Sequence, residues 1–141
     1  MTFVEPVHSP KIAVTIICKN SEASIRDCLE SFGKYVQFLS IVVDSDTTDK
    51  TEMIIRRTCK KLKLPYVLSQ VKWVEDFSAI RNFCLAQVPL EYEWVLWLDS
   101  DDVVEGADKI PQILGNIPPH INGIWLPYFY AFDDMGNCTT L

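Results

Sequence analysis

Three carboxylates, Asp99, Asp101 and Asp102, close the segment Glu93 to Asp102, which reads EWVLWLDSDD. Carboxylates this crowded repel one another, and without a partner one of them takes up a proton rather than stay charged. A hard divalent cation removes that penalty. Oxygen ligands favour Mg²⁺ or Mn²⁺ over zinc, and Mg²⁺ commonly uses one or two protein carboxylates together with substrate phosphates. The cluster therefore points to metal plus phosphate. The plainer alternative is that Asp often ends a strand, because it favours turns and caps a following helix. For a single Asp that alternative would win; D-x-D-D after WVLWL weighs against it.

The position of these acids depends on the run before them. Trp94 to Leu98 is apolar, rich in Val, Leu and Trp, and reads as a strand buried on both faces of a parallel sheet. The acids then emerge at its C-terminal edge, where open α/β sheets bind their ligands. Upstream, Lys11 to Ile17 reads as a first strand after a polar tail over residues 1–10. Ser21 is placed to cap a helix with Ile25, Cys28, Leu29 and Phe32 at helical spacing, ending near Gly33. Leu39 to Val43 is a second strand, stopped by Asp44. Asp49 is placed as N-cap of a helix from Thr51 through Leu62, and Tyr66 to Val71 is a third strand. Asp76 caps Phe77 to Gln87, where Phe77, Ile80 and Cys84, joined by Phe83, form the expected inward face.

This βαβαβαβ alternation predicts an α/β fold: a mostly parallel open sheet with right-handed crossovers and helices on both faces. Beyond the acids, Ala107 to Leu114 predicts a short helix limited by Pro111. Gly123 to Phe132 predicts a fifth strand, DDMGN a hairpin turn, and Cys138 to Leu141 the start of a return strand. A strand cut so short suggests the first part of a longer protein.

At 141 residues the chain fits one domain. A hydrophobic share of 48% beside 23% charged residues is globular composition and excludes disorder. The net charge of -6 argues against nucleic-acid binding, which calls for a basic surface. The basic run Arg56 to Lys63 reads as the solvated face of a helix. Five cysteines, Cys18, Cys28, Cys59, Cys84 and Cys138, never form C-x-x-C. They read as buried free thiols of a reducing compartment, not as a disulfide or zinc framework. With no signal-like N-terminus and no apolar run of spanning length, the expectation is a cytoplasmic protein without a transmembrane segment. His8 and His120 are isolated and read as surface residues.

The turn after the first strand, CKNSEAS, has no glycine. That removes the G-x-G-x-x-G of dinucleotide-binding folds and the G-x-x-x-x-G-K-[ST] of P-loops, and it counts against nucleotidyltransferases. A calcium loop counted from Asp99 would need Gly where Val104 stands. LDSDDV also resembles the D-x-D-x-[TV] motif of haloacid dehalogenase-like phosphatases, with Asp99 as nucleophile and Asp101 as acid and base. That motif normally opens its domain and needs a lysine and acidic pair well downstream, and little chain follows here.

Four segments in register, CKN, VVDSDTTDKT, EDFSAIRN and LDSDD, resemble a subgroup of family 2 glycosyltransferases over about residues 11 to 115. The chain departs from the subgroup at Asp46, where glycine is frequent, and at Asp102, where Glu is common. The resemblance implies a glycosyltransferase A-type (nucleotide-diphospho-sugar transferase), Rossmann-like fold. It implies a domain over residues 11–141 that binds a nucleotide sugar, UDP-linked, and transfers a hexosyl group to a hydroxyl of a glycan, lipid or protein acceptor. Asp44 would read the base by accepting a ring N–H, with Lys19 and Asn20 able to approach it. Arg81 would contact base or diphosphate, Asp99 would bind the ribose, and Asp101 would coordinate Mn²⁺ or Mg²⁺.

Other readings of the same residues are turn capping for Asp44, pairing of Arg81 with Glu75 or Asp76 on its own helix, and packing under the loop for Trp73. The general base of inverting relatives lies in the second half of their domain, and no residue here matches it. Asp133 and Asp134 are acidic but fall in the expected turn. A nucleotide-binding or interaction module without turnover is therefore the alternative of a different class.

Overall fold

The computed structural model describes residues 9–129 and 134–137. Its strands are β1 (Ile12–Cys18), β2 (Phe38–Asp44), β3 (Tyr66–Val71) and β4 (Trp94–Trp97), joined in one parallel sheet of order β3-β2-β1-β4. The helices are α1 (Ile25–Phe32), α2 (Thr51–Leu62), α3 (Phe77–Ala86) and α4 (Ile110–Gly115), the last preceded by a 3₁₀ turn over Ala107–Lys109. The sheet grows outward from β1 through β2 to β3 and then returns to place β4 on the other side of β1. The strand order thus reverses between β1 and β4, the position at which a crevice opens in such sheets.

Alternation along β1 and β2 decides what each face carries. Ile12, Val14, Ile16 and Cys18 join Leu39, Ile41 and Val43 under α1 and α2, with Ile25, Leu29, Phe32 and Ile55, all fully buried. Each such Leu or Ile contributes roughly 1.5–3 kcal/mol by leaving water. Ile17 and Val42 point to the opposite face and pack with Ile80 and Cys84 of α3. Helices cover both faces, as the alternation predicts. Gly33 permits the closest approach: a Cβ there would lie 2.5 Å from Leu62 Cδ1 and 2.7 Å from the Leu29 carbonyl oxygen.

β4 is not buried on both faces. Trp94 and Leu96 pack on the core, but Val95 and Trp97 are 38% and 60% exposed. The reason is position: α3 lies over β1 and β2, and β4 is an edge strand among the described residues. Phe77 and Phe83 were expected to face inward and are 56% and 41% exposed. α3 begins one turn before the sheet gives it anything to pack on.

α1 also starts later than expected, with Ser24 rather than Ser21 at its N-cap. Ser21 instead offers its carbonyl to the N–H groups of Ser24 and Ile25. The predicted 107–114 helix is split, and Pro111 falls in the first turn of α4, where its missing N–H costs nothing. Residues 123–129 form no strand, because an apolar run still needs a neighbouring ladder and none of the described strands supplies one. Residues 134–136 do turn, with Gly136 at φ +82°. Asp133 and the expected return strand 138–141 lie outside the described residues, as does His8.

Cys18, Cys28, Cys59 and Cys84 are free and buried, as their isolation in sequence suggests. Burial pushes the Cys18 and Cys28 thiols up to about 12 and Cys59 up to about 11. Among the described residues no helix is long and apolar enough to cross a membrane.

Candidate functional site

A cleft of about 510 Å³ opens at the C-terminal edge of the sheet, between the exits of β1 and β4. Lys19, Asn20, Arg81, Asp99 and Asp101, five residues singled out from sequence, all line it. Trp73, Phe77 and Ser100 complete its walls.

Arg81 leaves the second turn of α3 and reaches across to β4. Its Nη2 donates to Asp99 Oδ1 at 3.0 Å, and its guanidinium lies 4.0 Å from the centroid of the Trp97 ring. It pairs with neither Glu75 nor Asp76; Asp76 caps α3 by accepting the Ala79 N–H at 3.1 Å. A guanidinium stacked on one face and paired at one edge still has donors to spare for an anion.

The three acids at the end of β4 have separate duties. Asp102 turns back to accept the Asp99 N–H at 2.8 Å and a short hydrogen bond from the Tyr128 hydroxyl. That bond, with burial and the neighbouring acids, pushes the Tyr128 phenol well above its ordinary range, so it stays a donor. Asp99 faces Arg81. Asp101 is exposed and lines the cleft. Among the described residues no three His, Cys, Asp or Glu side chains converge as a ready-made cage. A single forward-facing carboxylate nevertheless suits a cation that completes its shell with substrate phosphate oxygens and water. Asp101 fits that requirement.

Asp44 stands behind the cleft and is only 2% exposed. Its Oδ1 accepts the Asp46 N–H at 3.0 Å and the Trp73 N–H at 3.5 Å, and its Oδ2 lies 3.2 Å from Lys19 Nζ. The Asp46 hydrogen bond, aided by Lys19 and opposed by burial, holds the carboxyl below the usual carboxylate range. Turn capping is thus what this side chain does here: it does not line the cleft itself, and its second oxygen is covered by Lys19, which does.

The loops after β1 and β2 are stapled by side chains that accept each other's backbone N–H groups. Asn20, at φ +46°, accepts the Thr48 N–H at 2.9 Å. Thr51 Oγ1 accepts the Ser21 N–H at 2.7 Å, and Glu22 accepts the Lys50 N–H at 2.9 Å. Asp49 accepts the Glu22 and Thr51 N–H groups, both at 3.0 Å. The N-cap of α2 is Lys50, one residue beyond the expected Asp49, yet Asp49 still secures the start of the helix. The loop after β4 joins this frame through the Ser21 and Ser100 hydroxyls, 2.8 Å apart. Sequence reading missed Ser21, Thr51 and Ser100 in this role. Its only trace was the density of Ser, Thr and Asp in two loops far apart in sequence.

The model of glycosyl transferase family 2 matches residues 13–137. No curated protein matches the chain. Among solved structures, S. aureus TarS 1-349 is 28% identical with a TM-score of 0.58, covering 74% of this chain and 31% of that one. The mannosyltransferase PcManGT from Pyrobaculum calidifontis, solved with GDP-Man and Mn²⁺, is 21% identical with a TM-score of 0.62, covering 78% and 33%. Both show the glycosyltransferase A-type fold here. The chain spans about a third of the length of these solved structures.

Proposed function

This chain belongs to glycosyl transferase family 2, and on that premise we propose that it binds a nucleoside diphosphate sugar, UDP-linked, and passes the sugar to an acceptor hydroxyl with Mn²⁺ or Mg²⁺. The observation that carries this reading is the meeting of Arg81, Asp99 and Asp101 in one cleft at the strand-order reversal.

Each residue has a chemical task in that reaction. Asp44, an acceptor at neutral pH, takes a ring N–H of the base once Lys19 swings aside. Lys19 and Asn20 shape that end of the cleft. Asp99 accepts hydrogen bonds from the ribose hydroxyls, and Arg81 turns its fork to the diphosphate, which it can hold by two parallel hydrogen bonds. Asp101 holds the cation, which when bound supplies Lewis-acid stabilisation to the departing diphosphate. Asp102 and Tyr128 keep the acid loop in shape, so that Asp101 need not be ordered at the moment of binding. The acceptor is a glycan, lipid or protein hydroxyl, and no residue is assigned as its general base. Buried free thiols support a cytoplasmic setting.

Calorimetric titration with UDP, GDP and CDP, each with and without Mn²⁺, tests the reading. UDP is expected to bind, and more tightly with the metal. Negligible binding of all three with Mn²⁺ present would overturn it.

A further inference from the structure

Phe77 is an apolar ring that stands, beside Trp73, in a cleft also lined by Lys19, Arg81, Asp99 and Asp101. It is the first residue of α3, more than half exposed, and it lines the cleft. α3 follows β3 and runs back against the strand direction, so its first turn overhangs the C-terminal edge of the sheet. Phe77 is in helical register with Ile80 and Cys84, but those two meet the sheet and Phe77 passes beyond it. A large exposed aromatic in such a position calls for an explanation that the core does not give.

Its surroundings supply one. Trp73 meets the Phe77 ring nearly edge-on, with centroids 5.5 Å apart and planes at 74°, which fixes the ring without covering its exposed side. Trp73 is itself held beside Asp44 through its backbone, whose N–H donates to Asp44 Oδ1 at 3.5 Å. In the other direction Arg81 follows Phe77 by one helical turn, a separation of roughly 5–6 Å between neighbouring positions on a helix face. One wall of the cleft thus carries Asp44 behind Trp73, then Phe77, then Arg81 against Asp99. That is the order base contact, flat apolar surface, phosphate contact.

We propose that Phe77 is the stacking platform for the base of the donor nucleotide, with Trp73 as its support, and that α3 sets the spacing between base and diphosphate. This rests on the reading of the cleft as a nucleotide-sugar site and adds to it the residue that supplies base affinity. Stacking is tolerant of base identity because every base has a π-face. Phe77 therefore contributes affinity, while discrimination among bases belongs to Asp44.

The test is calorimetry on the full chain with Mn²⁺, using UDP and inorganic pyrophosphate as ligands for the parent, Phe77→Leu and Phe77→Tyr. Phe77→Leu is expected to weaken UDP by ~5- to 100-fold and leave pyrophosphate unchanged, and Phe77→Tyr to keep parental UDP affinity. In Phe77→Trp, UDP is expected to quench tryptophan emission more strongly than in the parent, where Trp73 already lines the cleft, a readout independent of the Leu variant. If the parent binds UDP but Phe77→Leu does so equally well, or if UDP and pyrophosphate weaken together, the stacking role is overturned and the nucleotide reading stands. If the parent binds pyrophosphate but no nucleotide more tightly, both fall.

Discussion

Arg81 and Asp99, the two groups proposed to hold the diphosphate and the ribose, are bonded to each other at 3.0 Å, with the guanidinium resting on Trp97. Partly exposed ion pairs of this kind contribute only about 0.2–1 kcal/mol. Exchange is therefore inexpensive. On the proposed reading, a diphosphate would draw the guanidinium away from one carboxylate, and the carboxylate so released would meet the ribose. The pair holds both side chains at the cleft in the meantime.

Arg81→Lys keeps the charge but loses the planar fork and the stacking surface matched to Trp97. UDP affinity is expected to fall about tenfold, ~1.4 kcal/mol. Trp97→Leu should give a smaller fall in the same direction. Titration calorimetry measures both, and unchanged affinity in Arg81→Lys would mean that the guanidinium serves only its ion pair.

Asp101→Asn should remove the Mn²⁺-dependent part of UDP binding while leaving metal-free binding equal or slightly stronger, since a negative charge leaves the anion site. The thermal midpoint should not fall, because Asp101 is exposed and supports no other element. A variant that keeps the full Mn²⁺ increment would move the metal away from this residue.

The parallel sheet was legible because apolar runs and helical spacing alternate cleanly from Lys11 to Leu98, and the acids at Asp99 to Asp102 marked its C-terminal edge. What could not be read was anything set by the ends of elements. Phe77 belongs to the apolar stripe of α3 by spacing, yet the helix outruns the sheet there. Ser21 has the composition of a cap but spends its hydroxyl on Ser100, 79 residues away. The pairing of Arg81 with Asp99 depends on β4 lying next to β1, a strand order that local sequence does not encode. Residues 123–129 show that an apolar run alone does not make a strand.

Gly33→Ala should destabilise the fold, by roughly 1–3 kcal/mol. The backbone there is ordinary helical, so the cost comes from contact: the new methyl would press on Leu62 and on the Leu29 carbonyl. Leu62 can yield, but the carbonyl belongs to α1 itself. Denaturant melts of the two proteins measure the difference, and equal midpoints would show that α1 and α2 separate freely.

Burial alone would push the Asp49 carboxyl up, but hydrogen bonds from the Thr51 hydroxyl and from the Thr51 and Glu22 N–H groups outweigh it and hold the carboxyl below its usual range. A depressed folded-state pKa stabilises the fold above the unfolded value, ~3.9, and that stabilisation is lost as the pH falls through the lower folded value. Asp49→Ala should therefore cost about 1 kcal/mol near neutrality, as for a lost cap. Parent and variant should converge in stability as the solution is acidified through that window. A constant gap between the two pH profiles would assign the loss to packing instead.

Asp44→Asn should change which base is preferred. The Asp46 N–H must still be accepted, so the amide oxygen takes the place of Oδ1 and the amide nitrogen that of Oδ2, beside Lys19. An acceptor becomes a donor at the position now covered by Lys19, and the lysine, with no carboxylate to hold it, turns to solvent. Uracil presents a ring N–H to that position and would meet a donor with a donor. Cytosine presents a bare ring nitrogen and would be matched. An unmatched buried polar group costs about 1–3 kcal/mol, so UDP should weaken by ~5- to 100-fold while CDP strengthens. Paired titrations with UDP and CDP give the ratio directly. A ratio equal to that of the parent would leave Asp44 as the cap of its turn and place base selection elsewhere in the cleft.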